Sequence, residues 1–143
     1  MKTIAAIILE NHQQEILLYL RDNKDTIPFP HHWDLFGGHV EAGETVEEAL
    51  VREIKEELDL DISDYQFFRQ YEVTTEEAHP NVKYVFYARI PYRLDELVLY
   101  EGEKLGYFPF TEIPQVKFAN ILKRIVMDYV AARQNGELLF NPA

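Results

Sequence analysis

The chain of 143 residues suits one domain with a sizeable core, and 47% hydrophobic residues, with nine Phe, nine Tyr and one Trp, exclude intrinsic disorder. A formal net charge of -11 repels DNA and RNA backbones, so no nucleic-acid polymer is expected as a partner. Cysteine is absent, which excludes disulfides, thiolate metal sites and a cysteine nucleophile and fits a reducing compartment; any metal must be held by oxygen or imidazole.

In chain order, Ile4 to Leu9 and Ile16 to Leu20 are β-prone runs around a polar reversal, and they predict a hairpin. The first run is too short for a secretory leader, and nowhere do about 18 apolar residues follow one another, so no membrane association and a cytoplasmic location are expected. Residues 22 to 32 carry two prolines and several turn formers and should cross the surface as a loop. A short strand is expected around Trp33 to Phe36, followed by Gly37-Gly38 and a polar loop to Glu44.

Val46, Leu50, Ile54 and Leu58 step by four and predict a helix over 45 to 58, and Thr45 with Glu48 three residues on forms a capping box at its start. Tyr65 to Thr75 and Val82 to Ile90 read as two longer strands, with Leu97 to Tyr100 and Leu105 to Phe108 as further short ones. Apolar residues at helical spacing from Phe118 to Arg133 predict a final helix ending at Asn135-Gly136. No internal repeat or linker interrupts these elements, so the expectation is a single domain over 1–143 with a mixed sheet covered by helices, an α/β or α+β layered architecture.

The chemistry concentrates in Gly37 to Leu60, GGHVEAGETVEEALVREIKEELDL. With Glu53 at zero on a helical wheel, Glu57 lies near about 40° and Glu56 near about 300°, while Leu50, Ile54 and Leu58 span roughly 60° to 140°. The carboxylates therefore border the core-facing stripe, and Glu53 is like-charged with Glu56 at i+3 and Glu57 at i+4, an arrangement that costs stability unless something offsets it. A plain charged face would do so through Arg52, which can pair with Glu48 and Glu56. A divalent cation would do so more strongly, because clustered carboxylates and a loop carbonyl are the hard oxygen ligands that Mg²⁺ or Mn²⁺ prefers. Gly37 and Gly38, free of Cβ, let such a carbonyl approach the helix edge.

This segment resembles the signature of the Nudix hydrolases, G-x5-E-x7-R-E-U-x-E-E-x-G-U with U a bulky aliphatic. Gly38, Glu44, Arg52, Glu53, Ile54, Glu56, Glu57 and Leu60 stand in register, and Asp59 replaces the glycine that usually ends the helix. The resemblance implies an α/β/α sandwich with a mixed sheet between helices. It implies that Glu53, Glu56 and Glu57 bind Mg²⁺ (or Mn²⁺) with a carbonyl of Gly37 or Gly38, and that Arg52 and Glu44 orient them. It also implies hydrolysis of a nucleoside diphosphate linked to another group, with Glu53 or a later-loop glutamate, Glu101 or Glu103, accepting the proton from water. The leading expectation is a nucleoside triphosphate, including an oxidised purine form, cleaved to monophosphate and pyrophosphate. Its alternatives are a nucleotide sugar or other diphosphate conjugate, and a non-catalytic nucleotide-binding module. Asn120, at the expected start of the last helix, resembles the asparagine that MutT-type enzymes set against the base, and Trp33, Phe118 and Tyr84 are candidates to stack on it. Homodimers are common in the family, yet no segment here declares an interface.

Overall fold

The computed structural model describes residues 1–140, so residues 141–143 of the expected single domain lie outside the described residues. One mixed sheet contains β1 (Lys2–Glu10), β2 (Glu15–Leu20), β3 (Trp33–Asp34), β4 (Phe36–His39), β5 (Gln66–Val73), β6 (Asn81–Arg89) and β7 (Lys104–Pro109). Helices α1 (Val46–Leu58) and α2 (Leu122–Gln134) cover its two faces. Period-two alternation makes this arrangement: Ala5, Ile7 and Leu9 pack on the face with Leu50, Ile54 and Leu58 of α1, while Ile8 lies on the other with Ile125, Val126 and Tyr129 of α2. Among the described residues no helix is long and apolar enough to cross a membrane.

Strand β1 is the axis. Along one edge it pairs in parallel with β6 from Lys2↔Asn81 to Glu10↔Arg89. Its other edge is shared, because β4 occupies Ile4 to Ile7 and β2 only Leu9 and Glu10, so β2 and β4 part from one another like a fork. A cavity lined by Ala5, Tyr19, Phe36 and Gly37 opens at that fork.

Helix α1 starts as its sequence requires: the Thr45 hydroxyl accepts the Glu48 N–H at 3.1 Å and the Glu48 carboxylate accepts the Thr45 N–H at 2.8 Å. It ends at Asp59, which takes the left-handed conformation with φ 54° in place of a glycine, its N–H donating to the Lys55 carbonyl at 3.0 Å.

Three expectations need correction. Leu97 to Tyr100 is not a strand; the Tyr100 N–H donates to the Glu57 carbonyl at 3.0 Å and ties this segment to the end of α1. The last helix begins at Leu122 rather than Phe118, because the chain before it pairs with β3: the Trp33 N–H donates to the Lys117 carbonyl at 2.8 Å and the Ala119 N–H to the Trp33 carbonyl at 3.0 Å. Asn120 then turns left-handed with φ 52° and breaks any helix over 118–121. Finally, the strand expected at Trp33 to Phe36 is two strands separated by Leu35, and Gly37-Gly38 lies inside β4 instead of opening the loop.

A candidate active site at the forked sheet edge

The carboxylates are assembled by the glycine pair. Gly37 has φ 138°, and a Cβ there would collide with the Ala5 carbonyl of β1. A Cβ on Gly38 would land on the Glu53 carboxylate, the movable end of a flexible side chain, so it is at Gly37 that only glycine lets β4 pair with β1. The Gly37 N–H donates to Glu57 Oε1 at 2.8 Å.

Arg52 organises the exposed side of the cluster. It holds Glu44 with two bonds, Nε to Oε2 at 3.0 Å and Nη2 to Oε1 at 2.7 Å, and donates to Glu53 Oε1 at 2.9 Å and to the His39 carbonyl at 3.1 Å. This fork-on-fork contact, with the Glu41 N–H, lowers the Glu44 carboxyl to about 2. Glu56 is mostly exposed and leans to Arg52 at 3.4 Å.

Glu57 sits in the opposite electrostatic condition. It is only 3% exposed, and burial first, then the charges of Glu101 and Glu53, push its carboxyl up to about 9 against the favourable Gly37 N–H. Burial likewise raises Glu53, with Arg52 opposing and Glu56 and Glu101 adding to the rise. Glu101 reaches the cluster because its loop is fixed on both sides, by Tyr100 on the Glu57 carbonyl and by the Glu103 N–H on the Leu20 carbonyl at 2.8 Å. Glu103 faces elsewhere: its carboxylate accepts the Asn23 N–H at 3.2 Å and lies 3.4 Å from His31. Of the two later glutamates, then, Glu101 joins the cluster. Among the described residues no three acidic or imidazole groups are already drawn together at metal-ligand spacing.

A cavity of about 240 Å³ adjoins these groups, lined by Tyr19, Arg21, Asp34, Lys83, Glu101 and Asn120 along with Glu57 and the glycine pair. Asn120 lines this cavity, and it does not cap the helix, whose N-cap is Ile121 without a side-chain bond. The three stacking candidates are placed elsewhere. Phe118 is 8% exposed in the core under α2, Trp33 is set edge-on to Phe108 at 4.7 Å, and Tyr84 points to the α1 face beside Phe67 and Tyr65. Sequence reasoning missed Tyr19, Arg21, Asp34 and Lys83. Asp34 accepts from Arg21 at 2.8 Å and from the Tyr19 hydroxyl at 3.2 Å, and burial raises its carboxyl in spite of both. Lys83 had a legible signal: it shares strand parity with Val85 and Tyr87, so a charge was bound to point inward.

Comparison with known proteins agrees with this fold. The protein named nucleoside triphosphatase NudI from Salmonella agona is 44% identical over 57 residues, a stretch that spans 40% of this chain and 39% of that protein, and the Salmonella arizonae protein of the same name is 46% identical over an equal share. The chain thus matches about two-fifths of the length of these relatives. Over nearly the whole chain the fold is that of a mutT/nudix family protein from Listeria innocua (TM-score 0.79, 22% identity, 94% of this chain and 95% of that one). It is also that of the MutT protein from Methanosarcina mazei Go1 (TM-score 0.76, 20% identity, 94% of each chain). The NUDIX domain of Shewanella oneidensis NrtR, solved with ADP ribose, superposes with TM-score 0.72 at 18% identity over 92% of this chain and 86% of that one. At such identities these three speak for the fold, while the family profile of the NUDIX domain matches residues 1–129. That match spans the segment with the glycine pair, Arg52 and the glutamates of α1, and this chain belongs to the NUDIX domain family.

Proposed function

We propose that the protein is a divalent-metal-dependent pyrophosphohydrolase that cleaves a nucleoside triphosphate to the monophosphate and pyrophosphate. The observation that carries the reading is Glu57, a buried carboxylate set against Glu53 and Glu101. Burying one carboxylate beside two others is unfavourable unless a cation compensates them. The donor set fits such an ion: Glu53, Glu56 and Glu57 with a carbonyl of Gly37 or Gly38 offer hard oxygen ligands for Mg²⁺ or Mn²⁺, and Glu101 supplies another from the facing loop. When bound, the cation neutralises pyrophosphate oxygens and the charge that builds on them.

This chain's own groups supply the rest. Arg52, fixed by Glu44, holds Glu53 in place and keeps the exposed side of the cluster from opening. Glu53 and Glu101 are the carboxylates placed to accept the proton that the attacking water loses. Arg21, anchored on Asp34, lines the cavity and offers its remaining N–H groups to phosphate. Asn120 lines the same cavity and brings an amide donor and acceptor suited to a base. The name shared by the Salmonella relatives supports a triphosphate substrate.

The experiment is a panel of nucleoside triphosphates, oxidised dGTP, nucleotide sugars and ADP-ribose, assayed with and without Mg²⁺, with pyrophosphate and phosphorylated products read separately. Metal-dependent pyrophosphate release from triphosphates is expected. Cleavage confined to the diphosphate conjugates would replace this reading with conjugate hydrolysis, and tight nucleotide binding without turnover would replace it with a binding module.

A further inference from the structure

Lys83 is a charge where the sheet asks for a hydrocarbon. It is 4% exposed, on the α2 face of β6, and its Nζ lies 3.1 Å from Glu77 Oε1, itself nearly buried. An ion pair taken out of water gains little over apolar residues of similar volume, so stability alone is a weak reason for it. The pair is also the centre of a larger arrangement. Glu77 Oε1 accepts the Asn81 side-chain amide at 3.0 Å, and Glu77 Oε2 accepts the backbone N–H of Ile121 at 3.3 Å. One carboxylate thereby ties Lys83 to the residue that follows Asn120, whose left-handed backbone turns at that point. Both Lys83 and Asn120 line the cavity that Glu57 and Glu101 border.

An ammonium carries three N–H donors and no acceptor, and Glu77 takes one of them. A primary amide carries both a donor and an acceptor. Together they complement a carbonyl next to a ring N–H, the lactam edge that guanine presents at O6 and N1 and that uracil and thymine present at O4 and N3. Adenine and cytosine present the reverse, an amino group next to a bare ring nitrogen, and would set N–H against the Lys83 ammonium. We infer that Lys83 and Asn120, held in register by Glu77, form a lactam-reading edge that selects guanine, uracil and thymine nucleotides over adenine and cytosine nucleotides. The inference rests on the nucleotide chemistry proposed above and adds the class of base to it.

Equilibrium binding of dGMP, dUMP, dAMP and dCMP to the intact protein in Mg²⁺, followed by calorimetry, tests it without turnover. The two lactam nucleotides should bind at least about tenfold more tightly than the two amino ones, as expected where the wrong base leaves buried polar groups unpaired. In Lys83→Met/Glu77→Gln, which removes both charges, the preference should shrink to within about threefold while a thermal melt shows a folded protein. Should that variant not fold, Lys83→Gln keeps a donor for Glu77 but adds an acceptor and should lose the preference likewise. Equal binding of all four, no binding of any, or a preference that survives these substitutions overturns the inference. Turnover is a separate readout: a lactam preference without triphosphate hydrolysis would refute the pyrophosphohydrolase and leave the base reading standing, and hydrolysis without the preference would do the reverse.

Discussion

Two buried glutamates, Glu10 and Glu57, show how one side chain serves two ends. Glu10, at the end of β1, is 0% exposed and fully engaged: Oε1 accepts the Tyr129 hydroxyl at 2.7 Å and Arg133 Nε at 2.9 Å, and Oε2 accepts Arg133 Nη2 at 2.9 Å. Glu57 has one backbone N–H and two carboxylate neighbours. The first is a completed hydrogen-bond set that joins β1 to α2. The second is incomplete within the protein, and on the proposed reading a divalent cation supplies its counter-charge. Completeness, more than burial, separates a carboxylate that builds the fold from one that does chemistry.

Substitution should separate the two most sharply. Glu57→Gln should lower turnover by about 10³-fold while leaving the fold intact, measured as initial rates with circular dichroism alongside. Glu10→Gln should do the opposite, lowering unfolding free energy by about 3–5 kcal/mol in a denaturant titration, since Arg133 would be left buried without its charge, with turnover per folded molecule unchanged. Should Glu10→Gln abolish turnover while the protein remains folded, the contrast would fail.

Acidity sharpens the comparison next. The Glu57 carboxyl is raised to about 9, so between its ordinary value and about 9 the folded protein holds a proton that the unfolded chain has released. Stability of the metal-free protein should therefore be full at the acid end of that window and fall as pH rises through it. Thermal melts across this range, with and without Mg²⁺, should show a decline that the cation removes and that Glu57→Gln lacks. A metal-free melt that climbs through the window would contradict the assignment. The smallest effect is expected at the helix end: Asp59→Gly relieves a left-handed residue but gives up its 2.9 Å contact with Lys55, for a net gain of about 0.5 kcal/mol by denaturation midpoint.

Much of this was legible in the sequence, where local physics decides. The capping box of α1 and the four-residue steps of its apolar stripe gave the helix to within a residue, and the glutamate spacing gave the acidic face. Long-range contacts decided the rest. Phe118 and Ala119 carry helical periodicity, yet the pairing of Lys117 and Ala119 with Trp33 claims their backbone first. Leu97 to Tyr100 is apolar enough for a strand, yet its N–H at Tyr100 goes to the end of α1. Tyr84 and Phe118 are aromatic, a trait shared by stacking platforms and by cores, and only their strand parity and burial show which they are. Lys83 is the reverse case, a charge whose inward parity was visible before its partner Glu77 could be.

The placement of β1 also bears on how the chain reaches this state. Its hairpin partner β2 is a few residues away and can form early, but its parallel partner β6 lies beyond both β4 and α1 in the chain. The central pairing of the sheet must thus wait for a long loop to close, and until then the β1 edge is an open template for other chains. Folding should accordingly be slower than for a helical bundle of this size, with productive refolding favoured by dilution. The strand that pairs with Gly37 and Gly38 therefore has both edges covered only once β6 has been reached.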